Sequence, residues 1–104
     1  MVSYYCLIQY RQSETELLNV GVITLVPYKD ANNSTKQQSF LKVTDKLDIR
    51  EIIDPFVIEL TTKKIDSLTT LNKLIPTIKG QYKITYPVIT QKEIHELFTE
   101  FIKE

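Results

Sequence analysis

The sequence predicts an α+β domain: an antiparallel sheet of about four strands, in the order β-β-β-α-β-α, with its helices packed on one face. Three observations lead there. Three runs rich in branched and aromatic residues follow one another in the first 44 positions, separated by short polar segments. Strands joined so briefly form antiparallel meanders. The second half carries apolar residues at helical spacing, and one alternating segment interrupts it. At 104 residues the chain has room for one domain, spanning 1–104, with one core.

The first strand is Tyr4-Tyr5-Cys6-Leu7-Ile8-Gln9-Tyr10, apolar on both faces and so central in the sheet. A polar turn over residues 11–15 leads to Leu17-Leu18-Asn19-Val20-Gly21-Val22-Ile23-Thr24-Leu25-Val26, the strongest strand signal in the chain. Pro27 is expected to end it, because proline gives the ladder no donor. Residues 28–38 hold Asp30, Asn32, Asn33 and Ser34 and read as an exposed loop. Residues 39–44 form a shorter third strand.

Helical signals begin at Asp48, which has capping-box spacing to Glu51. Asp54-Pro55 reads as a fresh helix start, with Asp at N-cap and Pro at N1. Val57, Leu60, Leu68 and Leu71 share a helical face, with a break near Asp66, and Pro76 and Gly80 close the region. In residues 81–89, Tyr82, Ile84, Tyr86 and Val88 alternate with Lys83 and Thr85, as in a half-buried strand near an edge. Thr90 with Glu93 then predicts a capping box, and Ile89 with Ile94 a hydrophobic staple. Ile94, Leu97, Phe98, Phe101 and Ile102 make the apolar stripe of a final helix.

Several function classes lose support. Lysine and arginine number 13, aspartate and glutamate 13, so the net charge is zero, unlike a dedicated duplex-DNA binder. Two glycines, Gly21 and Gly80, cannot build a phosphate loop or a dinucleotide fingerprint. One cysteine and one histidine cannot make a zinc site from the usual ligands, and the carboxylates lack calcium-loop spacing. No metal or cofactor is expected. The nucleophile–base pair on offer is Cys6 with His95, and Cys6 reads as a buried strand residue rather than an activated thiolate. The chain is therefore expected not to be an enzyme. Cys6 cannot close an internal disulfide, the first residues do not read as a signal peptide, and no apolar run is long enough to span a membrane. A cytoplasmic protein is the expectation.

Two groups of residues stand out as candidate sites. Glu16, Asn19 and Gly21 interrupt the most apolar strand. Asn and Gly are both depleted in strand interiors, so they mark either a bulge and close approach or a recognition surface. The second group is basic. No acidic residue lies between Asp66 and Glu93, whereas Lys73, Lys79, Lys83 and Lys92 do, with Tyr82 and Tyr86 among them. Lysines and rings on a strand can hold single-stranded nucleic acid, although strict alternation puts Lys83 opposite Tyr82.

The opening strand followed by E-x-x-N-V-G-V at residues 16–22 resembles a bacterial family of unknown function. Its members carry a similar hairpin and a short final helix with a Leu-Phe pair, here Leu97-Phe98. The chain departs from it at Gln9, where the family often has arginine, and lacks the family's longer arginine-containing middle region. Genes of that family often lie beside genes for HipA-like kinases. The resemblance thus implies a binding module for another protein, in a kinase/toxin-type or defence-type system of a bacterium or phage. A nucleic-acid or phosphate ligand on the basic stretch is the alternative, and a homo-oligomer is compatible with both.

Overall fold

The computed structural model describes residues 2–77 and 81–102. It comprises β1 (Ser3–Arg11), β2 (Leu17–Lys29), β3 (Thr35–Val43), α1 (Leu47–Thr62), α2 (Leu68–Thr77), β4 (Tyr82–Ile84), β5 (Val88–Thr90) and α3 (Ile94–Phe101). The strands form one antiparallel sheet in the order β3-β2-β1-β4, with β5 also paired to β1. The α+β class and the antiparallel meander are as the sequence predicts. β1 is central, as its two apolar faces require.

The helices are not all on one face. α1 and α2 pack over Cys6, Ile8, Val20, Ile23 and Leu25. α3 packs on the opposite side, where Leu97, Phe98 and Ile102 cover Val22 against Tyr5 and Leu7. The reason is visible in β1 and β2. Both strands are apolar at odd and even positions, so both faces of the sheet need cover. A helix layer on one side would have left Tyr5, Leu7 and Val22 in water.

The local boundaries also shift. β2 does not stop at Pro27 but runs to Lys29, and β3 starts at Thr35, so the expected loop over 28–38 is largely strand. β1 accompanies β2 only as far as the Tyr4–Leu25 pair. Beyond it β2 is an edge strand paired to β3 alone, where a proline is tolerated. The turn shrinks to residues 30–34. There the Asp30 carboxylate accepts from the N–H groups of Asn32 and Ser34, both at 2.9 Å, and Asn33 takes a left-handed φ of 60°. The thirteen residues of β2 span roughly 40 Å at strand rise, and this long arm accounts for most of the molecule's 47 Å length.

α1 runs unbroken through Pro55 instead of restarting there. Ile53, Phe56 and Leu60 lie buried on both sides of the proline, and their burial outweighs the lost backbone bond. Asp54 caps nothing and instead pairs with Arg50 at 2.6 Å. The α1 N-cap is Lys46, without a side-chain bond, so the Asp48 box does not form. The break near Asp66 is present, and the Ser67 hydroxyl accepts from the Thr70 N–H at 3.2 Å to open α2.

The expected strand over 81–89 is two short strands. Thr85 turns between them, its N–H bonded to the Leu7 carbonyl and its hydroxyl accepting from the Leu7 N–H. α3 starts one residue after Glu93, whose N–H donates to the Glu96 carboxylate at 3.2 Å, so the box lies three residues later than the sequence suggests. Ile89 is 60% exposed and staples nothing. The five stripe residues do face the sheet.

Candidate functional site

The hairpin strand with Glu16, Asn19 and Gly21 carries a β-bulge. Ile8 pairs with Gly21 but its neighbour Gln9 pairs with Asn19, so Val20 has no partner on β1. The bulge moves Val20 and Gly21 to the α1/α2 side, and Val20 accepts from the Thr44 N–H at 2.8 Å. At Gly21 a Cβ would stand 2.9 Å from Val43 Cγ1, 3.0 Å from the Lys42 carbonyl oxygen and 3.2 Å from Ile8 Cδ1. Gly21 is buried and offers no surface. Asn19 lies toward α3, not on the face of Gly21, because the bulge breaks the alternation between them. Its Nδ2 donates to the Phe101 carbonyl at 3.3 Å, and its Oδ1 accepts from Gln9 Nε2 at 2.9 Å. This amide therefore ties the bulged strand to the end of α3. Gln9 takes up its free acceptor. Glu16 is the exposed member of the three, and its backbone carbonyl closes the β1–β2 turn.

The basic stretch is dispersed over several elements. Lys73 is exposed on α2, Lys83 on β4 and Lys92 before α3, while Lys79 lies outside the described residues. The Tyr82 ring stacks on Phe56 at 4.4 Å between centroids and contacts Tyr10, and its hydroxyl donates to the Ile52 carbonyl at 2.8 Å. Burial pushes its phenol pKa up. One face of this ring is thus occupied by the α1 layer. Lys92 bonds to Glu100 at 2.5 Å, and that bond holds its pKa up.

Cys6 and His95 do not meet. Cys6 is fully buried in the α1/α2 core, where burial pushes its thiol up to about 12. His95 is solvent-exposed on α3, across the sheet, with Nδ1 at 3.3 Å from the Glu93 carboxylate. A thiol so far above its ordinary range stays protonated and unreactive. The structure does bring Glu93, His95 and Glu96 together, with their ligand atoms within 4.8 Å of one another, all three exposed. Sequence reasoning missed this group because it weighed Glu93 as a cap alone.

It also missed the outer edge of the sheet. Tyr86 is 75% exposed, Val88 49% and Ile89 60%, where alternation had placed Tyr86 and Val88 on a buried face. The break at Thr85 ends the alternation. Val2, 44% exposed, precedes the Ser3–Thr90 pair at the same end of the sheet. Among the described residues β5 pairs with β1 alone, so its outer backbone groups face solvent.

No family model matches the chain, and no curated protein or solved structure is similar enough to it to support a comparison. No helix among the described residues is long and apolar enough to cross a membrane.

Proposed function

We propose that this chain is a non-enzymatic cytoplasmic module that binds another protein, and that its partner is the HipA-like kinase implied by the resemblance of its hairpin. The observation that carries the reading is the apolar outer edge at Tyr86, Val88 and Ile89. Exposed apolar strand edges promote aggregation unless another chain covers them. The other residues support a binding role more than a chemical one. The single thiol is inert, and Asn19 and Gly21 serve the bulge that shapes the sheet. A nucleic-acid surface over residues 73–92 has less support, because Tyr82 is stacked on Phe56 and Lys92 is held by Glu100.

The test is co-expression with the HipA-like kinase of the same host, followed by size-exclusion chromatography at low and high salt. A complex that survives salt, and that Ile89→Lys abolishes without lowering the melting temperature, is the expected result. An apolar interface responds weakly to salt, whereas phosphate contacts give a steep slope. The reading is overturned if the two proteins elute separately, or if Ile89→Lys leaves the complex intact.

A further inference from the structure

β3 is the longest open edge of the sheet. It pairs with β2 through nine consecutive residues, Thr35–Val43, and with no other strand among the described residues. The other open stretches are short or interrupted. β4 and β5 have three residues each, and the free side of β2 beyond the Tyr4–Leu25 pair contains Pro27. β3 has neither a proline nor a bulge to blunt it, and its two lysines are engaged within the chain. Lys36 pairs with Asp30 at 3.2 Å and Lys42 lies over the Phe98 ring. The hydrogen bonds show which backbone groups are left over. The Thr44 N–H donates to the Val20 carbonyl, so in this antiparallel ladder Lys42, Phe40, Gln38 and Lys36 also turn their backbone groups to β2. Leu41, Ser39, Gln37 and Thr35 turn theirs outward. Pro27 fits this alternation, since it stands opposite Gln37, where β3 needs no N–H from it.

We propose that this edge pairs with the same edge of a second copy, antiparallel about a two-fold axis at Phe40, so that two sheets join into one. In a two-fold pair every contact occurs twice, so the strand must complement itself. With Phe40 opposite Phe40, Ser39 and Leu41 exchange their outward N–H and C=O groups with Leu41 and Ser39 of the second copy. Gln37 does the same with Val43. No like charges then face each other, because Lys36 stands opposite Thr44 and Lys42 opposite Gln38. Moving the axis to Ser39 would set Lys36 against Lys42, like charges directly opposite. The Phe40 ring, 44% exposed in the single chain, meets its counterpart in the close, non-hydrogen-bonded pair at the axis. Towards the end of the ladder, Asp45 of one copy falls opposite Thr35 of the other, with Lys46 following. Asp45 has an 86% exposed side chain and stands 3.8 Å from Arg50 of its own chain. A space of about 690 Å³ lies beside Thr35, bounded also by Tyr28, Lys36, Gln37, Lys64 and Asp66. The incoming acid and base match Lys64 and Asp66 there, one charge of each sign. This self-association is independent of the protein-binding reading above, which rests on the opposite edge of the sheet.

Sedimentation equilibrium of the full chain over a range of concentrations is the first measurement. A monomer–dimer equilibrium is the expected result. Phe40→Lys sets two ammonium groups across the axis, and it should weaken the dimer roughly tenfold without lowering the melting temperature measured in dilute solution. The second measurement reads the register. Phe40→Cys should form a disulfide between copies under mild oxidation, because facing Cα atoms at a non-hydrogen-bonded position lie roughly 4.5 Å apart. Gln38→Cys should not, because it stands opposite Lys42, four residues or roughly 14 Å along the strand from its own counterpart. Cys6 is buried and does not compete. A chain that stays monomeric, a dimer indifferent to Phe40→Lys, or a Gln38→Cys variant that cross-links as readily as Phe40→Cys would overturn the proposal. A dimer dissolved by Ile89→Lys instead would place self-association on the β5 edge and overturn it as well. If the chain is monomeric and Phe40→Lys abolishes the kinase complex, the β3 edge belongs to the other protein and self-pairing falls. If the kinase elutes separately while the dimer behaves as expected, the protein-binding reading falls and the dimer stands.

Discussion

At Gly21 the backbone of β2 comes so close to Val43 and the Lys42 carbonyl that no side chain fits, since even a Cβ would stand 2.9 Å from Val43 Cγ1. Valine has the better strand propensity, yet Gly21→Val is expected to destabilise the protein by about 1–3 kcal/mol through overpacking. A denaturant melt showing no loss would mean that Val43 and β3 can move aside freely. Cys6 gives a second expectation at this scale. Burial raises its thiol from 9.0 to about 12, so the folded state holds this proton more tightly than the unfolded chain. The stabilisation is therefore complete below pH 9 and is lost as pH rises from 9 towards 12. Over that window wild type should lose stability relative to Cys6→Ala by about 1.4 kcal/mol per pH unit. Parallel stability–pH curves for the two proteins would show that the thiol is not desolvated.

Among the elements, α3 and α1 illustrate opposite balances. α3 has eight residues, too few for a stable isolated helix, and exists because Leu97, Phe98 and Ile102 bury against Val22. Phe98→Ala should cost about 3–5 kcal/mol. A loss under about 1 kcal/mol in a denaturant melt would show that α3 is not part of the core. The Lys42 ammonium over the Phe98 ring, 4.7 Å from its centroid, adds a smaller contribution. α1 tolerates a helix breaker because its buried face holds it in place. Pro55→Ala restores an N–H for the Glu51 carbonyl and should stabilise the protein by about 1–3 kcal/mol. A lowered melting temperature would mean that a bend at Pro55 is needed for Phe56 to stack on Tyr82.

For the whole molecule, the decisive feature is a sheet with separate apolar clusters on its two faces. Phe56 belongs to the α1/α2 cluster and Phe98 to the α3 cluster. Side chains with no shared partners contribute independently, so Phe56→Ala and Phe98→Ala should add to within about 0.5 kcal/mol in the double variant. A larger coupling would show that the sheet transmits strain between its faces. The edges show the same division of roles. β3 is an edge strand whose Lys36 pairs with Asp30 and whose Lys42 lies over Phe98, whereas the β5 edge carries exposed Val88 and Ile89.

Local pattern by itself determined the strand-rich first half, the broken helical middle and the α3 stripe, because side-chain periodicity and turn chemistry act over a few residues. It also marked Asn19 and Gly21 as anomalous, and the bulge with its close approach is one of the two causes that the residue types allow. Tertiary structure alone decided the rest. Apolar residues at both odd and even positions of β1 and β2 show that two faces need cover, but not which helix covers which. Pro27 and Pro55 are tolerated because β2 lacks a second neighbour at one and burial holds the helix at the other. Tyr86 and Val88 alternate like core residues yet are exposed, since the turn at Thr85 and the end of the sheet leave nothing to cover them. The open side of β3 was illegible for the same reason. Nothing local marks a strand as the outermost, and only the path of the chain decides which backbone groups are left without a neighbour.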